Sequence, residues 1–157
     1  MSNPDRAMKG RLSLCVLILA AVCCSRPPTR EFFVLSESAE YGDTYSFILD
    51  LSDSSATYGI DFFTRLEREA FGSFPSEDIM LDLRWFSPSD SILVDTAFVK
   101  ISDVLGTGYY SKDLRTPYKQ SLDLPQAGEW RLKAKVVNGS EEIRGLGLIL
   151  KETDGTR

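Results

Sequence analysis

The chain contains no histidine. That removes the commonest general base at neutral pH, the Ser-His-Asp and Cys-His nucleophile pairs, and zinc held by imidazole. Cysteine is almost as scarce, because Cys15, Cys23 and Cys24 all precede residue 25. The remainder of the chain therefore has neither a thiol nucleophile nor a disulfide to staple it. Long hydrophobic runs are missing as well: Leu12 to Val22 covers eleven residues, and a membrane-spanning helix needs about 20. Positive charge is not in excess either. The net charge is −5, and residues 25–157 carry fifteen basic against twenty-two acidic side chains, or −7, which argues against a nucleic-acid partner. No stretch shows a long amphipathic helical pattern, and no repeat or low-complexity bias is present.

What is present begins with an address. Arg6, Lys9 and Arg11 precede the apolar run, which is the layout of a signal peptide, and Met8 serves as well as Met1 for its start. The run ends in Cys23-Cys24, a pair that resembles the lipobox of bacterial lipoproteins. Cys24 is the expected lipidated residue, since the side chain before it is small; modification at Cys23 would put β-branched Val22 in that position. Several acyl chains anchor a protein stably where one does not. Ser25 to Arg30 is polar and proline-bearing, as suits a tether. The expected organisation is a lipoprotein signal peptide over 1–23, a tether over 24–31, one domain over 32–153 and a short tail over 154–157.

The domain reads as β. Tyr45, Phe47, Leu49 and Leu51 alternate on one strand, Ile60, Phe62 and Leu66 on a second, and Ile79, Leu81, Leu83 and Trp85 on a third. Trp130, Leu132, Ala134 and Val136 alternate with Glu129, Arg131, Lys133 and Lys135, one face buried and one wet. Asn138-Gly139 predicts a hairpin returning through Leu146, Leu148 and Leu150. Gly145 and Gly147 fall on the other face of that strand, where they mark a bulge or a close backbone approach or, as the simpler expectation, an uncrowded surface. Turn-forming clusters at 52–55, 87–91 and 125–128 separate short strands. An all-β, antiparallel β-sandwich of immunoglobulin-like or jelly-roll-like form follows. Thr64 to Phe71 has helical composition and suits either a short helix or a strand end.

Chemistry is harder to find. Asp50 with Asp53, Glu67 with Glu69 and Asp78 with Asp82 are paired acids of the kind a glycosidase needs in a cleft, yet acids this frequent pair by chance and are expected on solvated faces. No stretch matches the twelve-residue calcium loop, and Gly106-Thr107-Gly108 lacks the third glycine and the helix of a dinucleotide site. No catalytic residue, metal ligand or cofactor is assigned. Tyr109, Tyr110, Arg115 and Tyr118 have the composition of a protein-contact patch, with core packing as the plainer role for the tyrosines.

"GTGYYSKDLRTPYKQSLDLP", "AGEWRLKAKVV", "GLGLILKE" and "SPSDSILVDT" together resemble the gliding-motility lipoprotein GldH family over about residues 24–152. The chain departs from that pattern at "FGSFPSED", where the family has a tyrosine-proline pair, and at the short "NGSEEIRG" before the last strand. The resemblance implies an envelope lipoprotein tied to gliding machinery and type IX secretion, which acts through protein contacts and is not an enzyme. Its expected partners are the membrane, through the lipid, and components of an envelope complex. Ser25, Arg26 and Pro27, rather than acids, follow Cys24, which favours the periplasmic face of the outer membrane. A lipid-anchored glycan-binding module is the alternative. It would require an aromatic side chain exposed on a face or loop, whereas the alternation points Trp85 and Trp130 inward.

Overall fold

Alternating side chains become strands with one buried face wherever the pattern is clean. The structure, a computed structural model, describes residues 28–70, 72–139 and 141–154; the expected signal peptide and the cysteine expected to carry a lipid, Cys24 or Cys23, lie outside them. Nine strands follow in order: β1 (Thr29–Leu35), β2 (Thr44–Leu51), β3 (Ala56–Glu67), β4 (Ile79–Phe86), β5 (Ile92–Val99), β6 (Val104–Thr107), β7 (Ser111–Lys119), β8 (Gly128–Val136) and β9 (Ile143–Asp154). Among the described residues the one helical element is a 3₁₀ turn at Ser36–Ser38. No helix there is long and apolar enough to cross a membrane.

The strands form two antiparallel sheets, β1-β9-β3-β7-β6 and β2-β8-β4-β5. Their pairing is nested: β1 with β9, β2 with β8, β3 with β7, and β4 with β5. The chain crosses between sheets at almost every step, so the sandwich is a jelly roll, with β6 added at one edge. Between the layers lie Tyr45, Phe47, Leu49, Trp130, Leu132, Leu81 and Leu83 from the four-stranded sheet, and Ile60, Phe62, Leu66, Leu114, Leu146, Leu148 and Leu150 from the five-stranded one, all 2% exposed or less. Each large apolar side chain so buried contributes about 1.5–3 kcal/mol. Trp85 and Trp130 meet edge to face with ring centroids 6.4 Å apart. Both are inward, as the alternation requires.

Three expectations need correction. Asn138-Gly139 does not make a hairpin, since β8 is flanked by β2 and β4 while β9 lies in the other sheet between β1 and β3. The physical reason is local. Asn138 uses its side chain on the start of β4, where Oδ1 accepts from the Met80 amide at 2.7 Å and Nδ2 donates to the Asp78 carbonyl at 3.0 Å. Only Gly139 of the pair has positive φ, +70°, whereas the hairpin turn favoured by Asn-Gly needs it at both positions. Second, the tether is shorter than expected, because Thr29, Arg30 and Glu31 pair with Lys151, Leu150 and Ile149 in β1; β9 correspondingly takes in Asp154 from the expected tail. Third, the surface around Gly145 and Gly147 is crowded, as described below. Of the two readings of Thr64 to Phe71, the strand end holds as far as Glu67.

Candidate functional site

The outer face of the five-stranded sheet is organised in rows that run across it. Register places Phe33, Gly147, Phe63 and Arg115 side by side, with Leu35, Gly145, Arg65 and Asp113 in the next outer-facing row. A Cβ on Gly147 would overlap the far ring carbons of Phe63, and one on Gly145 would stand 2.6 Å from the Phe33 ring tip. The rings therefore lie over the glycine backbone, offset-stacked with centroids 5.7 Å apart. At Gly147 an aromatic ring occupies the volume of a side chain, and at Gly145 the Val34 carbonyl oxygen, 2.5 Å from where a Cβ would stand, shares it with the Phe33 ring.

A bulge sits beside them. Arg65 pairs with Gly145 and Leu66 with Ile143, leaving Arg144 as the extra residue. Bulges of this kind re-aim a side chain. Arg144 accordingly joins Phe33, Leu35, Phe63, Arg65, Glu67, Leu105, Gly106 and Asp113 around a groove of about 630 Å³. Asp113 holds Arg65 with two hydrogen bonds, 2.7 and 3.1 Å. Those bonds lower the Asp113 pKa and raise that of Arg65. Arg144 is held more loosely, 3.7 Å from Glu37 and 3.9 Å from Glu67. Both distances exceed a hydrogen bond.

The next row carries a buried acid. Asp61, only 2% exposed, accepts from Arg115 Nε at 2.9 Å and Lys151 Nζ at 2.8 Å. Two cations on one carboxylate satisfy its acceptor sites and fix β7 and β9 to β3 across the face.

The four residues expected to form a contact patch are not brought together. Tyr109 and Tyr110 occupy the β6–β7 turn, 78% and 48% exposed, where Arg68 binds the Tyr109 carbonyl through Nη2 and the Tyr110 carbonyl through its backbone amide. Arg115 faces Asp61. Tyr118 packs between the sheets against Phe62, at 5.5 Å between centroids, and donates to Asp95 at 2.5 Å. Lys119 also binds Asp95, at 2.6 Å. These bonds, Lys119 first and Tyr118 second, depress the Asp95 pKa to about 2; burial, then the bond to Asp95, pushes Tyr118 up to about 12.

The paired acids are dispersed too. Asp50 bonds Ser52 at the end of β2, Asp53 bonds Ser55 in the next turn, Asp78 caps the Ile101 amide, and Asp82 lies 3.9 Å from Arg84 on the opposite sheet. Of the six, Glu67 alone lines the groove. Among the described residues no three His, Cys, Asp or Glu side chains are placed to hold a metal ion. Sequence reasoning missed Phe33, Phe63, Asp61 and Arg144, although Gly-x-Gly on a strand flanked by strands with adjacent phenylalanines, Phe32-Phe33 and Phe62-Phe63, was a signal for the first two.

No family model matches the chain, and no curated protein matches it. Solved structures with partial likeness include a protein of Sulfurospirillum deleyianum (TM-score 0.39, 9% identity, 82% of this chain and 99% of that one). An α-L-fucosidase from a Vibrio species scores 0.42 at 12% identity over 69% of this chain and 20% of its own. Latent PorU of Porphyromonas gingivalis scores 0.39 at 13% identity over 80% of this chain and 13% of its own. This chain thus spans a small part of the latter two. With TM-scores below 0.5, these likenesses say nothing about what it does.

Proposed function

We propose that the protein is a lipid-anchored accessory or assembly component of an envelope machinery, associated with gliding motility and type IX secretion as in the GldH proteins its sequence resembles. In this reading Cys24 carries the lipid, the domain faces the periplasm from the outer membrane, and it works by protein contacts without chemistry of its own. The observation that carries the reading is the groove on the five-stranded sheet. Its lining charges are paired, Arg65 with Asp113 and Arg144 beside Glu67, with Glu37 near Arg144 outside the lining, and its walls are aromatic and aliphatic. Such a surface recognises a shape rather than activating a substrate.

The test is cross-linked co-purification of the tagged protein from native membranes, quantified by mass spectrometry beside Cys24→Ser. Recovery of gliding or secretion components that is lost in the variant is the expected result. Recovery of the anchored lipoprotein by itself overturns the reading.

A second reading, a lipid-anchored glycan-binding module, is favoured by one observation: Phe33 is 47% exposed on a sheet face, where a sugar ring could stack. Titration with soluble glucans and chitooligosaccharides, followed by tyrosine and tryptophan fluorescence, separates it from the first.

A further inference from the structure

We propose that the groove of the five-stranded sheet binds a segment of a partner protein in which a large apolar side chain stands beside a lysine or arginine. This rests on the protein-contact reading and supplies the chemistry of the contact.

Shape gives the first half. The groove has about 630 Å³, within the range of sites that take a compact ligand or a few side chains. Phe33 lies over Gly145 and Phe63 over Gly147, so the rings are positioned before anything binds. Leu35 and Leu105, 46% and 67% exposed, extend the apolar wall to either side. Hydroxyls pressed against those leucines would lose water without gaining partners, which disfavours a sugar and favours an apolar side chain.

Charge gives the second half. Arg65 and Asp113 cancel through their paired hydrogen bonds. Arg144 is shared by two carboxylates, Glu37 at 3.7 Å and Glu67 at 3.9 Å, whose side chains are 74% and 51% exposed. The lining by itself is balanced, and Glu37, beside Arg144 just outside it, leaves one negative charge in excess at the rim. An incoming anion would meet two carboxylates for a single guanidinium, whereas an incoming cation completes the set and can rest over the exposed face of Phe33. The net −7 of residues 25–157 steers a basic partner in the same direction.

The probes are the heptapeptide Gly-Ser-Lys-Phe-Lys-Ser-Gly, its Glu-for-Lys counterpart and maltohexaose, each titrated into the full chain in detergent micelles and followed by amide NMR. The lysine peptide is expected to move the Gly106 and Gly145 amides and to bind about tenfold more tightly than the glutamate peptide, a gap that narrows in about 0.5 M salt. In Glu37→Lys/Glu67→Lys the preference reverses, and in Leu105→Gln both peptides weaken. Equal binding of the two peptides, an unreversed preference in the charge-swapped chain, or stronger shifts with maltohexaose overturns the proposal. Co-purification separates this from the reading beneath it. If wild type and the charge-swapped chain recover the same envelope proteins equally, the groove is not the contact and the protein-contact reading stands; if neither recovers any, that reading falls as well.

Discussion

The two outer faces of this sandwich are built on different principles. On the four-stranded sheet, β8 sends Arg131, Lys133 and Lys135 into solvent, where Lys133 pairs with Glu40 at 2.7 Å and Lys135 with Asp43 at 3.5 Å. Ile48, Val94 and Phe98 stand exposed on the same sheet. The five-stranded sheet carries a thin second layer on its outside, in which Ile149 is 4% exposed, Asp61 is 2% exposed and two rings lie on two glycines. A strand wetted on one side tolerates substitution there. A strand covered on both sides tolerates it on neither, so changes to the outer positions of β3 and β9 act like changes to a core.

The largest expected effect comes from filling a glycine. Gly147→Val drives a branched side chain into the Phe63 ring, which lies over the Gly147 backbone with Phe33 beside it. Overpacking of this kind costs about 3 kcal/mol, measured as a drop in the urea midpoint. Gly147→Ala combined with Phe63→Ala should cost less than the sum of the two single changes, because the second removes what the first collides with. Additive costs would mean that ring and glycine do not share the space.

Next comes the buried acid. Asp61→Ala leaves Arg115 and Lys151 without their common partner on a partly covered face, and about 2–3 kcal/mol should be lost. The matched change on the other face, Asp82→Ala, removes an ion pair of 3.9 Å to a largely exposed Arg84 and should cost less than about 0.5 kcal/mol. Similar losses at the two sites would erase the distinction between the faces.

This contrast also explains what the sequence disclosed. Three strands with one wet face were plain from alternation, β2, β4 and β8 of the solvated sheet, and on β3 the inward set Ile60, Phe62 and Leu66 was legible as well. The sandwich followed from them. On β9 the alternation of Leu146, Leu148 and Leu150 was read and those side chains do face the core; what stayed hidden is the other face, where Gly145, Gly147 and Ile149 are buried too, because glycine carries no side chain from which burial can be read. Asn-Gly misled for a related reason, since its side-chain bonds to β4 are a tertiary choice that no local propensity encodes. The groove was hidden because its members come from β1, β3, β6, β7 and β9, and only the nested pairing brings residues as distant as Phe33 and Arg144 to one face.

A smaller effect than that of the buried acid lies where the two sheets meet. Asp95 points inward from edge strand β5 and takes bonds from Lys119 and Tyr118 of β7 in the opposite sheet, while its Oδ1 accepts from the Thr96 amide at 2.8 Å. It is a clip between layers, and an inward charge that occupies a backbone donor of an edge strand also discourages pairing with another chain. Because the folded pKa, about 2, lies below the ordinary 3.8, the clip stabilises fully above about pH 4 and is lost as pH falls through 2. Tyr118 works in the opposite sense: its pKa is raised from 10.0 to about 12, so its contribution is complete below about pH 10 and fades as pH rises through 12. Asp95 is 40% exposed at its side chain, so solvent screening holds the cost of Asp95→Asn to about 1 kcal/mol or less at neutral pH. The telling measurement is the shape of the stability profile. Asp95→Asn should flatten the limb between about pH 4 and 2, and Tyr118→Phe the limb between about pH 10 and 12. An acid limb unchanged in Asp95→Asn would place the acid sensitivity among the exposed carboxylates of the faces instead of at their seam.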